Sequence, residues 1–287
     1  MSPALRGAAL ALALVLLCAC APREAAPAQG TAPAEAAPVQ ETAQAPLSPK
    51  AQARADLLRH SERMVLDTLA FRRVPQSDPV DPAWFDDAAF VGDSVSVMLE
   101  YYNNAYHTLG RPAFFCAENL SPRNAMHAEA GSQRLPEWPK GSGEHPTLPE
   151  GIAACGAKKV YLMLGMNSIS GGVDNAAADL VTLVESILQA SPEAVIFIQP
   201  TTPMIATSPR ADDRLNNGTI RAYDLALSRI CQERGWYYVD VARALMNENG
   251  ALRGDYSGDQ SMGIHLNFTG AAAWAEYLLT HVPEELK

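Results

Sequence analysis

The chain lacks a glycine-rich phosphate loop, and Gly-x-Gly-x-x-Gly occurs nowhere in it. That absence argues against a dinucleotide-binding fold. It also lacks a basic patch: 22 Lys and Arg stand against 32 Asp and Glu, a net charge of −10. Nucleic acid is therefore not an expected partner. There is no Cys-x-x-Cys pair and no His-rich cluster, so no metal site is expected. Cysteine is sparse, five residues in all. Cys18 and Cys20 fall near the N-terminus, which leaves Cys116, Cys155 and Cys231 for the rest of the chain. An odd number leaves at least one thiol free, and Cys116 with Cys155 is the pairing open to an exported protein. Cys231 sits on an apolar helix face and reads as core packing. No internal repeat is present. The N-terminal apolar run, Ala8 to Leu17, is too short for a comfortable membrane span.

What is present at the N-terminus reads as an export signal. Arg6 supplies a positive region and the apolar run follows it. Leu17-Cys18-Ala19-Cys20 resembles a bacterial lipobox, whose cysteine becomes the lipid-modified first residue of the mature protein. Cys20 fits better than Cys18, because small Ala19 precedes Cys20 and bulky Leu17 precedes Cys18. The alternative is an ordinary cleaved signal with two incidental cysteines. Residues 1–20 are thus expected to be a lipoprotein signal peptide, with the mature protein exported and lipid-anchored to the bacterial membrane, outside the cytoplasm. Residues 21–50, rich in Ala, Pro, Gln, Glu and Thr, read as a disordered tether. Residues 51–82 form a helical lead-in, with Leu57, Leu58, Met64, Val65, Leu66, Leu69 and Phe71 near helical spacing and Pro75 to Pro82 ending it.

Residues 83–287 alternate in type. Strands are expected at 88–91, 113–117, 159–164, 194–199 and 236–240. Helices are expected at 95–106, 175–190, 212–234 and 241–246, with a short one within 121–130 and a last one at 269–281 capped by Thr269. Residues 131–149, with Gly, Pro and Trp138, read as a long loop. Short continuous apolar strands separated by helices predict an α/β fold: a doubly wound, five-stranded parallel sheet with helices on both faces. A ligand site then lies beyond the carboxyl ends of the strands.

Three strand ends carry polar residues. Ala88-Ala89-Phe90-Val91 runs into Gly92-Asp93-Ser94 just before a helix, which exposes a serine hydroxyl at the end of a buried strand. Leu164-Gly165-Met166-Asn167-Ser168 follows a later strand. Met262-Gly263-Ile264-His265-Leu266-Asn267 precedes the last helix. In this order and placement the chain resembles the SGNH hydrolase superfamily, the GDSL-type esterases and lipases, over about Ala88 to Val282. The resemblance implies the flavodoxin-like SGNH fold, with Ser94 as nucleophile and His265 as its base. It implies an oxyanion hole from the Asn167 amide and the backbone N–H of Ser94. Asp93, although next to the nucleophile, reads as structural, bonding loop amides.

The chain departs from the family pattern twice. The second block usually has a glycine that donates to the oxyanion. Here the stretch is Cys116-Ala117-Glu118-Asn119-Leu120-Ser121, and Asn119 can supply the backbone N–H instead. The family also places aspartate three residues before the histidine, where this chain has Met262. Asp259, the nearer of two upstream aspartates, is the first choice to orient His265. Asp255 or a backbone carbonyl are the alternatives.

The expected activity is an extracytoplasmic serine esterase or acylhydrolase that cleaves O-acyl esters of carbohydrate or lipid through an acyl-Ser94 intermediate. It needs no cofactor. Its partners are the acyl-ester substrate and, through the anchor, the membrane. An O-acyltransferase acting on cell-surface glycan and a non-catalytic tethered binding module are the alternatives, the second favoured only by the missing aspartate at Met262. Trp138, Tyr101 and Tyr102 are read as packing residues before sugar-stacking ones.

Overall fold

The computed structural model describes residues 73–287. The expected signal peptide with Cys20, the tether and residues 51–72 of the lead-in lie outside the described residues.

Five parallel strands form the sheet: β1 (Ala88–Gly92), β2 (Ala113–Cys116), β3 (Lys159–Met163), β4 (Val195–Ile198) and β5 (Tyr237–Tyr238), in the order β2-β1-β3-β4-β5. Among the described residues seven α-helices accompany them: α1 (Ser94–Tyr106), α2 (Pro122–His127), α3 (Leu148–Cys155), α4 (Val173–Ala190), α5 (Asn217–Arg234), α6 (Ala242–Leu245) and α7 (Phe268–Leu279). The doubly wound α/β sandwich read from the alternating pattern is the fold observed. The order reverses between β1 and β3, the switch point where such sheets place their ligands.

The strands are buried on both faces, and alternate residues feed two cores. Ala89 and Val91, Val160 and Leu162, and Ile196 and Ile198 pack beneath α2 to α5. On that side Leu180, Leu183, Val184 and Ile187 give α4 an apolar stripe at helical spacing. Ala88 and Phe90, Tyr161 and Met163, and Phe197 pack beneath α1, α6 and α7, which contribute Val95, Leu99, Leu245, Trp274 and Leu278. One ring from each strand makes a continuous row on this face. Phe114, Phe90, Tyr161, Phe197 and Tyr237 stack with centroid separations of 5.3, 4.9, 4.4 and 5.2 Å. Each offset-stacked pair contributes about 0.5–1.5 kcal/mol beyond the area it buries.

Several expected boundaries move. Residues 148–155 form α3, although the long loop expected from composition runs to 149. Thr147 caps it in a reciprocal box with Glu150, and Pro149 lies in its first turn. α5 starts at Asn217, not Asp212. The Asp212 carboxylate accepts the N–H groups of Arg214 and Leu215 in a turn, and Asn216 caps the helix. The last helix is capped by Asn267, whose side chain accepts the Gly270 N–H, and not by Thr269. Cys116, Cys155 and Cys231 are free thiols, so Cys116 and Cys155 are not paired. Cys231 is wholly buried in α5, as expected of a packing residue.

Tyr161 stacks on rings at both sides and is 1% exposed. Tyr161→Ala is expected to lower the unfolding free energy by about 3–5 kcal/mol, the usual cost of deleting a buried aromatic ring. Urea unfolding measures it, and a loss under about 1 kcal/mol refutes the central place given to this row.

Candidate active site

The site begins where β1 ends. A Cβ on Gly92 would lie 2.0 Å from Ser96 Oγ, so only glycine lets α1 fold back this tightly over the strand end. Asp93 caps α1 by accepting the Val95 N–H at 3.0 Å. Ser94 is therefore the first helical residue. Its backbone N–H is one of the unpaired donors of a helix start and has no acceptor among the described residues. Asp93 is structural in position, as read from the sequence, with its carboxyl buried beneath the turn at 2% exposure. Burial pushes that carboxyl up from 3.8 to about 7, against the opposing pull of the Val95 N–H and of His265.

His265 arrives from the other end of the chain. Its carbonyl accepts the Gly258 N–H at 2.8 Å, and Ser257 pairs with Leu266 in a short antiparallel bridge. Asn267 then ties this strand-like stretch down through Nδ2 bonds to the carbonyls of Asp255 (2.8 Å) and Ser257 (3.2 Å). The result is that Ser94 Oγ donates to His265 Nε2 at 3.0 Å. On the far side of the ring, His265 Nδ1 donates to Asp259 Oδ2. This network fixes the tautomer: the proton sits on Nδ1 and the lone pair on Nε2 faces the hydroxyl.

Asp259 is thus the carboxylate at the imidazole. The alternatives fall away for a physical reason: Asp255 is exposed and engaged by the Arg253 guanidinium, with Nη2 to Oδ2 at 2.6 Å. Asp259 Oδ1 accepts the backbone N–H groups of Gly263 (2.7 Å) and Ile264 (3.3 Å). Burial tends to raise the Asp259 carboxyl. The bonds from His265, Gly263 and Ile264 outweigh it and hold the group below its ordinary value. The part played by the Gly263 and Ile264 amides is not visible in the sequence motif. The available signal was Gly263 itself, which adopts a φ of +70°.

The adjacent strand ends supply the remaining polar groups. Asn167 follows β3 in a tight turn, where Ser168 N–H donates to Gly165 O at 2.7 Å. Asn167 Nδ2 donates one proton to Leu120 O at 3.1 Å, which leaves its second proton available. That bond joins the β3 rim to the β2 rim, with the Ser94 turn on the strand between them. Asn119 has a φ of +58°, the left-handed conformation natural to glycine and tolerated by asparagine. Its carbonyl is held by Asn124 Nδ2 at 2.6 Å, and its N–H finds no acceptor among the described residues. Asparagine here adopts a left-handed backbone that glycine would take without strain.

The aromatic residues of interest mostly pack. Trp138 stacks on Phe115 at 5.4 Å, and Tyr102 meets Tyr106 and Phe268, while Tyr101 is exposed. Among the described residues no group of three or more His, Cys, Asp or Glu is placed to hold a metal ion, and no helix is long and apolar enough to cross a membrane. What the arrangement can do is deprotonate a hydroxyl as it attacks an electrophilic carbon, beside a rim of N–H donors.

The GDSL-like lipase/acylhydrolase family matches residues 90–273. No curated protein matches the chain. Among solved structures, a GDSL-like lipase from Bacteroides thetaiotaomicron superposes with a TM-score of 0.52 at 13% identity, covering 76% of this chain and 94% of its own. A proposed acylhydrolase from Bacteroides fragilis gives 0.51 at 15% identity, covering 78% and 94%. A proposed SGNH hydrolase from Slackia heliotrinireducens gives 0.51 at 13%, covering 68% and 97%. At these identities the structural likeness establishes the fold.

The raised Asp93 carboxyl has a signed consequence. The folded state holds this proton more tightly than the unfolded chain, so its contribution is full below pH 4 and is lost as pH rises from 3.8 toward about 7. Asp93→Asn keeps a good cap and removes the titration. The stability of the variant relative to wild type is expected to climb by a few kcal/mol (order of magnitude) between about pH 4 and 7 and then level off. Urea unfolding across that range tests it, and a difference independent of pH refutes it.

Proposed function

Because the chain belongs to the GDSL-like lipase/acylhydrolase family, we propose that it is a serine esterase that cleaves O-acyl esters of carbohydrate or lipid outside the cytoplasm. The observation that carries this reading is the unbroken hydrogen-bond chain from Ser94 Oγ through the His265 ring to Asp259. Ser94 attacks the ester carbonyl while His265 Nε2 takes its proton. Asp259, kept ionised, stabilises the imidazolium that forms. The developing oxyanion meets the N–H groups of Ser94 and Asn119 and the free proton of the Asn167 amide. Each such donor contributes roughly 3–4 kcal/mol to the transition state. His265 then returns the proton to the leaving alkoxide, and the acyl group remains on Ser94. In the second half, His265 activates water, which releases the acid and restores the serine.

The external location is supported by the sequence of the leader: Arg6, the apolar run to Leu17, and Leu17-Cys18-Ala19-Cys20 with Cys20 as the lipidated residue. An anchored enzyme meets polymers and lipids of the cell surface, which fits acylated glycan or lipid as substrate.

Two sets of variants test the roles. Ser94→Ala is expected to abolish hydrolysis of acyl esters of rising chain length and of acetylated glycans, with an unchanged melting curve. Retained turnover refutes the nucleophile. Asp259→Asn is expected to lower kcat by orders of magnitude, about 10⁴ where the equivalent change has been made in a serine protease.

At the oxyanion rim only the backbone of Asn119 is invoked. Asn119→Gly should therefore keep activity within about threefold, whereas Asn119→Val, a residue disfavoured at positive φ, should lose about a hundredfold. Equal loss in both variants assigns the contribution to the Asn119 side chain instead.

A further inference from the structure

The aspartate at His265 lies six residues before it, not three. The arc between them is bonded to groups outside it. The holding groups come from the segment after β4. Ile205 N–H donates to Gly263 O at 2.9 Å, and Ser208 Oγ donates to Met262 O. Gly263 permits this approach: a Cβ there would fall 2.4 Å from Ile205 Cγ1 and 3.2 Å from Ser208 Cβ. Ile205 and Ser208 are both buried.

The same two peptide units are bonded at both ends. The Met262–Gly263 unit accepts from Ser208 through its carbonyl, and its N–H is shared between Asp259 Oδ1 and the Asp259 carbonyl, both at 2.7 Å. The Gly263–Ile264 unit accepts from the Ile205 N–H and donates to Asp259 Oδ1. Hydrogen bonds joined through a peptide group orient and strengthen one another. The brace is itself anchored. Asn217, the first residue of α5, accepts the Met204 N–H at 2.7 Å and donates to the Met204 carbonyl at 2.9 Å. Leu252 N–H also donates to Met204 O at 2.9 Å.

We propose that Ser208 is a positioning residue for ester cleavage: through the Met262–Gly263 peptide it holds the Asp259 carboxylate aimed at His265. The inference rests on the reading of Ser94, His265 and Asp259 as the reacting triad. Ser208 touches neither substrate nor the reacting atoms. Its effect is confined to how well the imidazole is oriented, so it belongs to kcat and not to substrate binding.

The experiment uses the full chain and p-nitrophenyl acetate. Ser208→Ala is expected to lower kcat between tenfold and a hundredfold, with KM within about twofold of wild type. Stoichiometric labelling of Ser94 by a fluorophosphonate, taken to completion, counts the folded sites and is expected to match wild type. Ser208→Thr, which keeps the hydroxyl, should recover most of kcat. Wild-type kcat in Ser208→Ala, or a loss that merely follows a smaller number of labelled sites, overturns the proposal. If Ser208→Ala does not fold, Asn217→Ala loosens the same brace at its other end and must show the same loss of kcat with full labelling. Wild-type kcat there overturns the proposal equally. Absence of hydrolysis and of Ser94 labelling in the wild-type protein strikes the esterase reading instead, so the two failures are distinguishable.

Discussion

The proposed chemistry depends on one contact, the 3.0 Å hydrogen bond between a hydroxyl and an imidazole 171 residues apart in the chain. A serine hydroxyl is a poor nucleophile until a base removes its proton, and that transfer is sensitive to fractions of an ångström. Both partners must therefore be carried on parts that do not move relative to each other. Ser94 stands on the turn from a fully buried strand into α1. His265 stands just before α7, and α1 and α7 pack together over the same face of the sheet. The core beneath these helices sets the distance between the hydroxyl and the imidazole.

Much of this was legible in the sequence. The alternation of short apolar runs with amphipathic stretches is a direct consequence of a parallel sheet covered on both sides, so the five strands and most helices could be placed. Ser94, Asn167 and His265 were visible because each closes or opens a regular element at the same rim. The helix at Leu148–Cys155 was hidden by its context. It has eight residues, carries Pro149 and Gly151, and follows a long Gly- and Pro-rich stretch, so propensity pointed away from it. Its capping box at Thr147 and Glu150 was the one local signal.

The carboxylate partner shows a different limit. Sequence narrowed it to Asp259 or Asp255 or neither, because a loop can curl in several ways. The choice is made by competing charges and amides: Arg253 occupies Asp255, while the Gly263 and Ile264 N–H groups receive Asp259. None of these contacts has a spacing rule. The substitution of Asn119 for glycine is similar. Residue identity does not reveal that Asn119 takes a left-handed backbone angle of +58°.

The row of stacked rings across the sheet has a geometric consequence for the rim above it. Successive side chains in a strand point to opposite faces, so sliding any strand by one residue against its neighbour would swing its ring to the other side and break the row. Phe114, Phe90, Tyr161, Phe197 and Tyr237 sit at paired positions in all five strands. They act as a spirit level for the sheet: β1, β2 and β3 finish at a common height, and the groups that follow them are delivered to one plane.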